Sequence, residues 1–209
     1  FAEYTVIPAR AAIPLPDSLP FAAAATIPCP GLTAQQAIDK VPLRPGAHVL
    51  ITGASGAVGG ALLQLARGRG WVVHAIASAS QADRLMTLGA ATVTDYRNDS
   101  WKQEWKQRTK HQLLHAVFDM VSGAHAASLA PLLTANGHLV CIQDRQETAP
   151  LPAFTTTISL HEVGLNAMHA HACDRQWGEL VAAGAPGSLL VGCVKSTKSN
   201  PNLRISVGQ

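Results

Sequence analysis

The sequence predicts an α/β protein built on an open parallel sheet with helices on both faces. Three observations carry that expectation. Short apolar runs of strand length alternate with helix-length segments from about residue 48 to residue 143. The strand-like runs are apolar at consecutive positions, as strands covered on both faces should be. The chain has 209 residues, 47% of them hydrophobic and 14% charged, which is enough for one good-sized core.

The elements follow in order. FAEYTVI alternates like a strand, and IPLPDSLP is a proline-broken connector. FAAAATIP and GLTAQQAIDK read as helices, with Thr33 a possible cap of the second. LRPG (43–46) is a turn. HVLIT (48–52) is a strand, 57–68 a helix and WVVHAIA (71–77) a strand. SQADRLMTLG (80–89) is a helix that stops at a glycine. ATVTDY (91–96) is a strand, 99–112 a polar helix and HAVFDMV (115–121) a strand. AHAASLAPLLTANG (124–137) reads as another helix with a glycine stop, before the strand HLVCIQ (138–143). ISLHEVGLNAM (158–168) is one more candidate strand. Beyond about residue 184 the pattern dissolves, leaving only a weak LLVGCV run.

Composition narrows the function. The formal charge is only +3, and the most basic piece, WKQEWKQRTK (101–110), reads as a solvated helix face, so no nucleic-acid partner is expected. No apolar run has membrane-spanning length, and the first residues lack the basic start and apolar block of a signal peptide. The four cysteines (Cys29, Cys141, Cys173, Cys193) are far apart, which suggests reduced thiols and a cytoplasmic protein. His169, His171 and Cys173 would share one face if 169–173 were extended. HExxH is not present, because Leu165 stands where the second histidine would be. No metal site is expected.

The chemistry-bearing stretch is VLITGASGAVGG (49–60), placed between a strand and a helix. Such a turn is an anion site: helix N–H groups and the helix dipole point at a phosphate, and small residues let the backbone approach it. A Walker loop is excluded, since Val58 stands where its second glycine would be and no lysine follows. A nucleophile elbow is excluded, since Gly56 follows Ser55 one position early. The short-chain dehydrogenase loop TGxxxGxG fits Thr52, Gly53 and Gly59 but puts Ala57 at its middle glycine. Its Tyr-xxx-Lys pair is also missing, because Tyr4 precedes Pro8 and Tyr96 precedes Ser100 at that spacing. What remains is the dinucleotide fingerprint GxGxxG with alanine at its first position: Ala54, Ser55, Gly56, Ala57, Val58, Gly59. Ala57 and Val58 would offer N–H groups to the pyrophosphate, with Ser55 and Gly56 shaping the turn. The alternative is a small-residue helix start that serves packing alone. At the end of the second strand stand Ser78 and Ser80, with no acid before Asp83. An acid there would repel the 2′-phosphate of NADP, whereas a hydroxyl tolerates it, so NADP is the expected cofactor.

The stretch from FAEYTVIPAR to GAVGGALLQLA resembles the zinc-independent quinone oxidoreductase branch of the medium-chain dehydrogenase/reductases, as do LGAATVTDYR (88–97), VFDMVSG (117–123) and NGHLVCI (136–142). The motifs keep the family's order and spacing from residue 1 to about 180. The resemblance implies a Rossmann-type doubly wound sheet over residues 29–184. It also implies a remnant of a GroES-like catalytic domain over 1–28 and an irregular tail over 185–209. The chain then reads as a nucleotide-binding domain with trimmed ends or as a divergent short member. The resemblance further implies that Tyr96 of the DYR motif holds the 2′ end of the cofactor, and that Arg84 substitutes for a lysine the family often has near Gln81. It places Thr33 and Val121 near the nicotinamide. The family usually has a glycine beside the ring where this chain has Gln143-Asp144. The function implied is NADP(H)-dependent, zinc-independent hydride transfer to quinones, enones or related carbonyl compounds, by a homodimer paired through the strand at 158–168. No catalytic residue is nominated, because hydride transfer needs no protein nucleophile. The rivals are a non-catalytic nucleotide-binding or interaction module and an enoyl-reductase fragment of a larger synthase.

Overall fold

The structure is a computed structural model that describes residues 5–108, 113–185 and 188. Its centre is a six-stranded sheet of β1 (His48–Ile51), β2 (Val72–Ala77), β3 (Thr92–Asp95), β4 (Leu114–Asp119), β5 (Leu133–Cys141) and β6 (Ser159–Glu162). The spatial order is β3-β2-β1-β4-β5-β6, and every pairing is parallel. This is a doubly wound, Rossmann-type sheet whose order reverses between β1 and β4. The helices are α1 (Phe21–Ala24), α2 (Leu32–Asp39), α3 (Ala57–Gly68), α4 (Ala82–Leu88), α5 (Trp101–Arg108), α6 (Gly123–Leu129), α7 (Asn166–His171) and α8 (Asp174–Gly184).

The continuous apolar strands are explained by two cores, one on each face. In β1, Val49 and Ile51 pack on the face covered by α2, α3 and α4, with Ile38, Leu62, Leu63 and Leu85. Leu50 points to the other face and joins Trp101 and Trp105 of α5 and Leu129 of α6. Burying every second residue on each face removes the alternation that a half-exposed sheet would show. Leu19, Ala23, Ala24 and Ile27, from the segment ahead of α2, share the first of these cores.

Several expectations need correcting. Thr5–Ile7 form no strand, and residues 1–4 lie outside the described residues. Thr33 sits inside α2 and does not cap it; the helix follows directly on a π turn at Ile27–Gly31, and Gly31 is the N-cap. The polar helix is described to Arg108, and residues 109–112 lie outside the described residues. The helix expected over 124–137 ends at Leu129 with a 3-10 turn at Ala130–Leu132, and β5 has begun by Leu133. Pro131 has no N–H to continue a helix, and Asn136 at φ 59° turns the chain within the strand. The register shift of β4 against β5 between Leu114 and Ala116 absorbs that turn. The strand expected over 158–168 is only Ser159–Glu162, and Leu165 is the N-cap of α7. His169 and His171 are therefore on a helix and not in an extended segment. The LLVGCV run and Cys193 lie outside the described residues.

Histidines are used inside the sheet. His48 Nδ1 lies 3.0 Å from His74 Nε2, and His74 Nδ1 lies 2.9 Å from Thr92 Oγ1. The His48 N–H donates to His115 Nδ1 at 3.1 Å. His138 Nδ1 meets His161 Nε2 at 3.0 Å and so ties β6 to β5. Burial holds His48, His138 and His161 below the ordinary histidine pKa, with a neighbouring imidazole adding to the effect at His48 and His161. Because the folded state favours the neutral rings, their stabilisation is complete above pH ~6.5 and is lost as pH falls from there through the folded-state values. Thermal melts followed by circular dichroism should therefore show a lower Tm at pH 5.5 than at pH 7.5, by a few degrees, and the double change His138→Gln/His161→Gln should shrink the difference. A flat profile across this window would contradict the role given to these rings.

Candidate functional site

The candidate site starts at the turn between β1 and α3. Thr52 N–H donates to Phe118 O in β4 at 3.1 Å, and Ala54 N–H donates to Ile76 O in β2 at 3.3 Å, so the turn is pinned to both neighbouring strands. Gly53 sits at φ 58°, a conformation costly for a side chain. A Cβ on Gly59 would lie 2.4 Å from Gly53 O and 2.7 Å from Ala54 Cα, so only glycine lets the first turn of α3 seat against the loop. Gly56 is an extended N-cap with no capping side chain, and the first turn holds no acidic residue. Among the described residues, no acceptor takes the N–H groups of Ala57, Val58 or Gly59. Ser55, Gly56 and Ala57 are exposed while Ala54 is fully buried. A helix start whose N–H groups lack a protein acceptor is a receptor for an anion. Arg84 of α4 adds a cation here: its Nη1 donates to Ser55 O at 3.3 Å and to Gln81 Oε1 at 3.4 Å.

The next strands supply the flank. Ser78 follows β2 half-buried, and its Oγ lies 3.1 Å from Ser80 Oγ. Tyr96 follows β3 and is 54% exposed. Two residues that sequence reasoning passed over stand beside them. Asp95 accepts Ala79 N–H at Oδ2 (3.1 Å) and Arg97 N–H at Oδ1 (3.0 Å), and those backbone hydrogen bonds hold its pKa below the usual carboxylate value. The acid missing from the end of β2 is thus supplied by the adjacent strand, and it is occupied with backbone donors. Arg97 places its guanidinium carbon 5.8 Å from the Tyr96 ring centroid. The sequence signal for both is the DYR triplet at 95–97.

Val121 follows β4 and is half exposed. The fingerprint residues 54–59, Ser78, Tyr96 and Val121 therefore gather along the C-terminal edge of the sheet, which is where ligands of such sheets bind. Thr33 lies half-buried in the first turn of α2, which packs along α3. Asp144 turns back to accept Gly123 N–H at 3.1 Å, so Gln143-Asp144 continues into a loop bound to the start of α6. A separate apolar groove of about 530 Å³ is lined by Ile13, Phe21, Ile27, Leu165, Met168 and Trp177, and it shares no residue with the glycine loop. Among the described residues, no group of three or more His, Cys, Asp or Glu side chains is placed to hold a metal ion, and no helix is long and apolar enough to cross a membrane.

Comparison with known proteins gives a consistent picture. Residues 57–186 match the family profile described as zinc-binding dehydrogenase. A trans-enoyl reductase of Aspergillus flavipes is 38% identical over 105 residues, covering 46% of this chain and 30% of that protein. A trans-enoyl reductase of Penicillium oxalicum is 28% identical over 183 residues, covering 76% of this chain and 50% of that protein. The solved quinone oxidoreductase of Thermus thermophilus, studied also as its complex with NADPH, superposes with a TM-score of 0.66 at 28% identity, covering 82% of this chain and 54% of the other. The chain spans about half the length, or less, of these relatives.

The seating of α3 gives a direct test. Gly59→Ala puts a methyl group against backbone atoms that cannot step aside. Overpacking of this kind costs about 1–3 kcal/mol, and we expect a corresponding fall in unfolding free energy by urea titration. Gly178→Ala, on the open face of α8, serves as the control and should cost nothing of that kind.

Proposed function

Because this chain belongs to the zinc-binding dehydrogenase family, within the medium-chain dehydrogenase/reductases, we propose that it binds NADPH at the β1–α3 turn and serves a reductase of quinones, enones or related conjugated carbonyl compounds. The observation that carries the reading is the row of N–H groups at Ala57, Val58 and Gly59 that no acceptor among the described residues takes, with Arg84 beside it. The N–H groups fit a pyrophosphate: the backbone donates and the helix dipole favours negative charge, while Arg84 stands on the side of the loop toward the 2′ end. When bound, the cofactor supplies the hydride from C4 of its reduced ring.

The chain's own residues bind and orient. Ala57 and Val58 hold the phosphates, Ser55 and Gly56 keep the backbone low enough for close approach, and Val121 offers an apolar surface at the crevice. Ser78, Tyr96 and Arg84 form the end that takes the 2′-phosphate, and Arg97 adds a second cation there. Hydride delivered to an electrophilic carbon leaves an enolate or phenolate, which takes its proton from a donor outside this set. We therefore assign no catalytic residue. An enoyl group in place of a quinone is the second reading, favoured by the two trans-enoyl reductase relatives. The zinc of the family's description has no matching donor set among the described residues, and no step is routed through it.

We also propose a homodimer through β6, in a reducing cytoplasmic setting where Cys29, Cys141 and Cys173 remain free thiols. Leu160 is 43% exposed on this edge strand, and neither lysine nor proline masks Ser159–Glu162. Leu160→Pro keeps an edge strand foldable but blocks pairing with a second copy. Sedimentation should show dimers for the wild type and monomers for the variant, and a wild-type monomer at high concentration would remove the claim.

Cofactor choice is tested by titration with fluorescence detection. NADPH should bind more tightly than NADH. Arg84→Ala should erode that preference by roughly tenfold, the ~1.4 kcal/mol equivalent of one charge-assisted hydrogen bond. Ser78→Asp should turn the preference toward NADH. Equal affinities in the wild type would overturn the NADPH assignment.

A further inference from the structure

We infer that Asp119 is the positioning residue of the cofactor crevice: with Thr52 it fixes the β1 and β4 loops to one another, and so sets cofactor affinity without touching the cofactor. The inference rests on the cofactor reading above and concerns residues that reading does not use. Asp119 ends β4 and is 2% exposed; Thr52 follows β1 and is fully buried. They meet at the point where the sheet order reverses, between β1 and β4.

The hydrogen bonds account for nearly every backbone donor of the β4 loop. Met120 N–H donates to Thr52 Oγ1 at 3.1 Å, and that hydroxyl donates onward to Asp119 Oδ1 at 2.7 Å. Val121 N–H and Ser122 N–H both donate to Asp119 Oδ2, at 3.1 and 3.2 Å. Gly123 N–H goes to Asp144 Oδ2, and His125 N–H goes to Ser122 Oγ. His125 Nδ1 stands 2.6 Å from Asp119 Oδ1. A carboxylate only accepts, so this nitrogen carries the proton. Asp119 thus takes four donors on two oxygens, from β1, from its own loop and from the first turn of α6. Its backbone carbonyl also accepts Ile142 N–H, which brings in the end of β5. A buried carboxylate costs much to desolvate unless it is fully hydrogen-bonded, so this one holds its partners in a single arrangement. Thr52 adjoins Gly53, and Val121 is the crevice residue of the other loop. The spacing of the anion-binding turn from the β4 wall is therefore set through this pair.

The test uses Asp119→Asn, Thr52→Val and Thr52→Ser in the full chain. Asparagine keeps the shape but turns an N–H₂ toward groups that are themselves donors. Valine removes the bridging hydroxyl, and serine restores it. NADPH affinity is measured well below each variant's Tm, with hydrogen exchange on peptides covering 52–58, 119–125 and, as a reference, 72–77. We expect NADPH affinity to fall at least tenfold for Asp119→Asn and several-fold for Thr52→Val, with near-wild-type binding for Thr52→Ser. Exchange should quicken in both loop peptides and not in the reference. If Asp119→Asn does not fold, the Thr52 pair carries the same comparison. Affinity within twofold of wild type, or quickened exchange in the 119–125 peptide alone, would overturn the inference. If the wild type binds neither NADPH nor NADH, the cofactor reading falls and the affinity claim with it, while the exchange data still decide whether the two loops are coupled.

Discussion

The crevice depends on one backbone contact, the seating of Gly59 against the carbonyl of Gly53 and the Cα of Ala54. That approach brings the first turn of α3 down onto the loop that ends β1, and it is open only to a residue without a side chain. Its consequence is electrostatic as much as steric. The start of a twelve-residue helix is held at the sheet's C-terminal edge with no capping side chain and no acid in its first turn. The positive end of the helix dipole is left unanswered by the protein itself.

The two loops at the switch point treat their backbone donors in opposite ways. After β4, the N–H groups of Met120, Val121, Ser122, Gly123 and His125 are each taken by a protein acceptor. After β1, those of Ala57, Val58 and Gly59 are not. The β4 loop is thus closed on itself, whereas the first N–H groups of α3 are left to solvent or a ligand. Acids follow the same division. Asp95, Asp119 and Asp144 all stand near the sheet's C-terminal edge, yet each is occupied by backbone or side-chain donors. Arg84, by contrast, reaches only neutral oxygens, so its charge is not cancelled by a paired acid in the contacts described.

The histidines obey a packing rule of their own. His48, His74 and His115 cross neighbouring strands, and His138 with His161 joins β5 to β6. Imidazole rings can stand on an otherwise apolar sheet face because each finds a partner nitrogen, hydroxyl or N–H there. Their close spacing in the fold comes from strand register, since His48 and His74 are 26 residues apart in the chain.

Much of this was legible in the sequence. The alternation of short apolar runs with helical segments determined the parallel sheet, because a strand covered on both faces must be apolar throughout. The order of small residues in ASGAVG determined the turn and the boundaries of α3, because local geometry and Cβ sterics decide both. Where the reading failed, longer-range pairing had overruled local pattern. LLTANG looks helical by itself, but Pro131 and the pairing of Leu133 with Leu114 make it the start of β5. HEVGLNAM carries strand-like residues, yet only Ser159–Glu162 has β5 to pair with. Only the tertiary structure could decide the partners of Asp95, Asp119 and Asp144. A carboxylate's role is set by the donors that surround it, and those come from strands and loops that the chain's linear order keeps apart: Thr52 and Asp119 are 67 residues distant and 2.7 Å apart.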